Sequence, residues 1–167
     1  INENDFAVVE LSSFQLMDMT WSPAAALVTN VTPNHLDIHK DMAEYIEAKT
    51  HIFVNQKPGA KLVLNADDKV SQDFRPVENG VYLEDGVIWY AEDGNRRKIM
   101  NADEIRIPGA HNIANYMAAI CMTHGRVTFD NVCDVAHEFG GVEHRLELVR
   151  TLNGVKYYND SIASSPT

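Results

Sequence analysis

Glu10 closes an apolar run, Phe6-Ala7-Val8-Val9, and is followed by Ser12-Ser13. A carboxylate at the carboxyl end of a central strand is placed to hold a hard cation such as Mg²⁺, and a local cap or ion pair is the simpler alternative. His35 and His39 form a His-x-x-x-His pair after Thr32-Pro33-Asn34, but they lack the Glu of H-E-x-x-H, which makes zinc the weaker idea. One histidine, or Asp37, serving a metal or phosphate site fits better, with a structural histidine as the alternative. Lys49 follows Tyr45 by four residues and precedes Ile52 and Phe53 by three and four, which sets it along the apolar stripe of its own helix. Its stem can pack while the ammonium reaches water. An ammonium has only donors and cannot ligate a metal, whereas carbamylation by CO₂ would turn it into an anionic oxygen ligand.

Asn112 and Asn115 lie three apart at the start of a helix and share a face, where two amides that donate and accept suit an adenine edge; an N-cap and a surface amide are the alternative. His144-Arg145 follows Gly140-Gly141, and an arginine fork there can grip phosphate oxygens or stabilise a transferring phosphoryl group, or else form a surface ion pair. Asp160 ends the last β-rich run and can accept from ribose hydroxyls or cap the next segment.

The elements that must carry these residues alternate between strand and helix. The expected fold is α/β, a mostly parallel Rossmann-like sheet flanked by helices with a small antiparallel meander. Phe6 to Leu11 and Ala25 to Val31 read as central strands covered on both faces, and Lys61 to Asn65 as the next. A helix runs from Asp41, its N-cap, to about Val54, and Ala66 to Phe74 is weakly helical. Val81 to Leu83 and Val87 to Ala91 flank Asp85-Gly86, a hairpin signal that marks the meander. Helices follow over 112–123 and 130–139. Asn153-Gly154 then joins Leu146 to Leu152 with Val155 to Tyr158.

Length and charge restrict the function. The 167 residues, 45% hydrophobic, suit one domain with a substantial core. A net charge of -10, from 14 basic and 24 acidic residues, argues against general nucleic-acid or membrane binding, so an anionic ligand must be held by a few local cations or metals. Cys121 and Cys133 make no disulfide framework, and with no leader and no apolar run long enough for a bilayer the expected setting is the cytoplasm. The chain begins without Met and stops just after a strand, which reads as a fragment.

Taken together, the segments ELSSFQL (10–16), NVTPNHLDIH (30–39), AK (48–49), PGAHNIAN (108–115), EHRLE (143–147) and YNDS (158–161) resemble the Mur ligase family. Within it, they are most similar to the branch that joins D-glutamate to UDP-N-acetylmuramoyl-L-alanine. The match covers nearly the whole chain, and ELSSFQL is its most specific string. The resemblance implies an enzyme in which ATP phosphorylates the substrate carboxylate and the amine of D-glutamate attacks the acyl phosphate; a monomer is expected. It implies that Glu10 binds one Mg²⁺, that His35 and carbamylated Lys49 hold a second, that Asn112 and Asn115 face adenine, that Arg145 faces the γ-phosphate and that Asp160 faces the ribose. Two hard cations and an arginine would neutralise charge on the transferring phosphoryl group. A sister ligase for another amino acid and a non-catalytic nucleotide-binding paralogue are the alternatives.

Two departures accompany the match. These residues contain no G-x-x-x-x-G-K-S/T phosphate loop, which the family's order of motifs would place before Ile1, and the flanking UDP-binding and D-glutamate-binding domains are missing. Residues 1–167 are therefore expected to be a piece of the central ATP-binding domain, inactive alone. Ile162 stands where the family commonly has Lys.

Overall fold

A computed structural model describes residues 2, 5–33, 39–76 and 79–163. The chain divides into two compact units, Ile1–Glu78 and Asn79–Thr167. Both mix helices with sheet, one parallel and two antiparallel, giving the α/β class.

In the first unit, α1 (Ser13–Met17) is followed by β1 (Ala25–Val28), α2 (Met42–Thr50), β2 (Lys61–Leu64) and α3 (Lys69–Gln72). β1 and β2 pair in parallel from Ala25↔Lys61 to Val28↔Leu64, with α2 in the crossover between them. Asp41 caps α2 by accepting from the Glu44 N–H at 2.9 Å. Ala26, Val28, Val31, Tyr45 and Phe53 form the core, and the Phe53 and Phe74 rings pack at 5.3 Å.

The strand expected over Phe6 to Leu11 is not formed. Residues 5–12 belong to no helix or strand, and Phe6, Val8 and Val9 are 71%, 99% and 64% exposed. Strand propensity is a statement about packing against neighbours, and no described strand pairs with this segment. Directly after it comes a helix that the sequence reading passed over. Ser12 caps α1 in a capping box, its N–H donating to Gln15 Oε1 at 2.9 Å, from the S-x-x-Q spacing of Ser12 and Gln15.

The second unit opens with a meander of β3 (Gly80–Glu84), β4 (Val87–Glu92) and β5 (Asn95–Asn101). Asp85-Gly86 and Asp93-Gly94 form its turns, all four residues at positive φ. β5 was unforeseen because Arg96-Arg97-Lys98 reads as solvated chain. Arg96 nevertheless bonds Glu84 on β3 at 2.8 Å and covers the Trp89 ring at 4.5 Å. α4 (Ala110–Thr123) and α5 (Phe129–Glu138) follow, and Ile88, Met100, Ile105, Ile120, Val132 and Ala136 form the core.

The hairpin of β6 (Glu147–Leu152) and β7 (Val155–Asn159) ends the unit, turning at Asn153-Gly154. Its Leu148, Val149, Leu152, Val155, Tyr157 and Tyr158 are exposed. Among the described residues no helix is long and apolar enough to cross a membrane, and both cysteines are free. Burial pushes the Cys133 thiol up, away from the thiolate that redox chemistry needs.

Candidate functional sites on the two units

On the first unit, Glu10 lies on the exposed segment before α1, so its carboxylate is open to a ligand but not at the end of a paired strand as expected. His35 and Asp37 lie outside the described residues. Lys49 is half-buried in the last turn of α2, with Nζ 5.1 Å from the centre of the Tyr45 ring. The helix C-terminus and the ring face both favour a cation there.

His39 has the most constrained surroundings. It and Ser13 are 2% and 3% exposed, and Ser13 Oγ lies 2.8 Å from His39 Nε2. The imidazole stacks on Phe14 at 5.1 Å and meets the edge of Tyr45 at 5.2 Å. Its Nδ1 faces a Glu44 oxygen at 3.6 Å, just beyond hydrogen-bond reach. The histidine thus ties α1, which begins three residues after Glu10, to α2, which carries Lys49. Replacing Ser13 by alanine strips Nε2 of its partner in a buried place, so the Ser13→Ala protein is expected to lose about 1–3 kcal/mol in chemical denaturation.

Val31, three residues beyond β1, is pinned as well. Asp68 accepts from the Val31 N–H at 3.2 Å and from the Ser71 N–H and hydroxyl at 2.8 and 2.6 Å. Burial works to raise its carboxyl, but these three bonds outweigh that and hold it below the usual aspartate range. Asp68 was not singled out from the sequence, although a short Asp-x-x-Ser cap is readable there. Among the described residues, no group of three His, Cys, Asp or Glu is placed to hold a metal ion. By donor chemistry Glu10 suits a hard cation; Lys49 does so only in carbamylated form.

On the second unit, Asn112 and Asn115 stand in the first two turns of α4, three residues apart as expected. Asn112 Nδ2 donates to the Pro108 carbonyl at 2.6 Å, so this amide also closes the turn leading into the helix. Gly109 before it has φ 106 and ψ 142, a conformation essentially restricted to glycine, and an added Cβ would lie 2.7 Å from the His111 ring. A cleft of about 620 Å³ opens here, lined by Leu83, Val87, Ile105, Ile107, Pro108, Gly109 and Ile113 among others. That volume is in the range of small-molecule sites.

Arg145 is exposed and flanked by two non-glycine residues in the left-handed region, His144 at φ 64 and Leu146 at φ 46. Each costs about 1–2 kcal/mol and persists only when its surroundings impose it. Asp160 Oδ1 accepts from the Leu146 N–H at 3.1 Å, and Glu147 Oε2 from the His144 N–H at 2.8 Å. The structure therefore ties Asp160 to the residue that follows Arg145, a link between the two that their separate positions in the sequence do not show.

The Mur ligase middle-domain model matches residues 2–123. A UDP-N-acetylmuramoylalanine–D-glutamate ligase of Ruminiclostridium cellulolyticum is 44% identical over 100% of this chain, which covers 39% of that relative. Ligases of the same name from Clostridium acetobutylicum and Acetivibrio thermocellus are each 46% identical over 100% of the chain, again covering 39% of the relative. The chain thus spans well under half the length of these curated relatives. Among solved structures, a pseudomurein peptide ligase type C from Methanothermus fervidus superposes with TM-score 0.56 at 17% identity, covering 76% of this chain and 36% of that one. MurF from Acinetobacter baumannii gives 0.57 at 14%, covering 83% and 34%. At such identities these structures speak for the fold.

Proposed function

This chain belongs to the Mur ligase family, and from that premise we propose that it is the central, ATP-handling domain of a cytoplasmic, monomeric ligase that adds D-glutamate to UDP-N-acetylmuramoyl-L-alanine in peptidoglycan precursor synthesis. The identity of 44–46% along the whole chain to ligases of that name is the observation that carries the reading.

In this reading the purine packs against the Ile105, Ile107 and Ile113 side of the cleft before α4, whose lining also includes Asp85, Asn101 and Asp103, and the Asn112 and Asn115 amides of the first two turns of α4 meet its polar edge. The Asn112 side chain keeps one N–H and its carbonyl oxygen for a ligand while the other N–H holds Pro108. Asp160 takes a ribose hydroxyl through the oxygen that does not hold Leu146. Arg145 offers its fork to the γ-phosphate and stabilises charge as the phosphoryl group passes to the substrate carboxylate. The acyl phosphate so formed is attacked by the amine of D-glutamate, which forms the amide and releases phosphate.

Mg²⁺, when bound, would neutralise phosphate charge, with Glu10 as a ligand at one site and His35 and carbamylated Lys49 at another. Glu10 and Lys49 suit this in being reachable from solvent, and the Ser13–His39 contact ties their segments together.

The test is ADP release by the full-length protein given UDP-N-acetylmuramoyl-L-alanine, ATP and Mg²⁺. Release that depends on D-glutamate is expected. Release that depends instead on L-alanine, L-lysine or meso-diaminopimelate, or none at all, would overturn the assignment.

A further inference from the structure

We propose that Glu147 and Asn159 are positioning residues that aim Arg145, by imposing the left-handed backbone of the residue before it. The inference rests on the reading of Arg145 as the phosphate-binding arginine. It starts from a contrast within the chain. At Asp85-Gly86, Asp93-Gly94 and Asn153-Gly154 the positive-φ pair of the turn includes a glycine. Around Arg145 both positive-φ positions carry side chains: Leu146, a bulky residue for which this region is an outlier, and His144, a type that enters it more often than most yet still uncommonly.

What replaces the glycine is a set of side-chain bonds. Glu147 Oε2 accepts from the His144 N–H at 2.8 Å, and the same oxygen lies 3.4 Å from Asn159 Nδ2. Asn159 Nδ2 is also 2.8 Å from His144 Nδ1. Glu147 begins β6 and Asn159 ends β7, paired directly across the hairpin. The two strands thus hold both the backbone and the ring of His144. Among the described residues no hydrogen bond or ion pair engages the Arg145 guanidinium, while the Arg145 backbone N–H donates to Val142 O at 3.2 Å. The backbone is over-determined while the fork stays available. That is the arrangement expected of a group held ready for an anion rather than of a plain connector.

The test compares Glu147→Ala, Glu147→Gln and Asn159→Ala in the full-length enzyme, by amide hydrogen exchange at His144 and by kcat and KM for ADP release. Glu147→Ala is expected to speed exchange at His144 about tenfold or more. It should also lower kcat about 10²-fold, the scale of a misplaced catalytic group, with the KM for D-glutamate unchanged. Glu147→Gln keeps an acceptor and should return most of the rate. The amide of Ile88, in the core, reports whether a variant has folded, and if Glu147→Ala disturbs it the Asn159→Ala protein carries the comparison. Unchanged exchange at His144, or faster exchange with kcat within about twofold of wild type, would overturn the proposal. A wild-type enzyme inactive with D-glutamate would defeat the functional reading instead, and the exchange arm would still decide whether the clamp exists.

Discussion

Exchanging Lys49 for alanine in the full-length enzyme is expected to lower ligation by about 10³-fold or more, the equivalent of several kcal/mol of lost charge stabilisation, and short carboxylic acids are expected to return part of it. The surroundings of the side chain explain why a chemical change is needed. The last turn of α2 and the Tyr45 face, 5.1 Å from Nζ, both suit a positive charge, and a positive Lys49 cannot ligate a metal. A carbamate reverses the charge and loses both interactions, so it becomes favourable only beside a cation. Formate or acetate in the alanine variant supplies the missing carboxylate without the tether. Unchanged turnover would remove Lys49 from the reaction, and loss without rescue would favour a role for the amine itself.

The second large effect belongs to Arg145. Its replacement by alanine should cost about 10³-fold in kcat, as for arginines that meet a transferring phosphoryl group, with little change in the KM for D-glutamate. Lysine should restore little, because a point charge on a flexible stem lacks the planar fork that the turn aims. Steady-state ADP release at saturating ATP checks both variants. An Arg145→Ala enzyme within tenfold of wild type would place the arginine on the surface, as one of the alternatives read from the sequence would have it.

Local chemistry was legible in the sequence and partnership was not. Asp41 as a cap, the turns at Asp85-Gly86 and Asn153-Gly154, and the helix carrying Asn112 and Asn115 all depend on residues within a few positions of one another, and all appear in the structure. The run Phe6 to Leu11 has strand composition but needs a neighbouring strand to become one. α1, five residues long, is too short for periodicity to reveal, and only its Ser12/Gln15 spacing announced it. At the site, the types of Arg145, Asp160 and Asn112 were readable because fork, carboxylate and amide each imply a ligand chemistry. Their anchoring was not, since Asp160 holds a backbone N–H and Asn112 a backbone carbonyl. His39 was considered as the second half of a histidine pair. Its ring is instead engaged by Ser13, twenty-six residues earlier, a contact that no local pattern encodes.

The β6–β7 hairpin has a colloidal consequence. Tyr157 and Tyr158 are successive residues of one strand and so point to opposite sides, yet both are exposed, as are Leu148 and Val155. A two-stranded ribbon with apolar side chains on both sides is a template for strand addition between molecules. The formal charge of -10 opposes that by mutual repulsion. Because repulsion is screened within about 8–10 Å at ordinary salt while apolar contact is not, the polypeptide on its own stays dispersed more readily in dilute buffer than in concentrated salt.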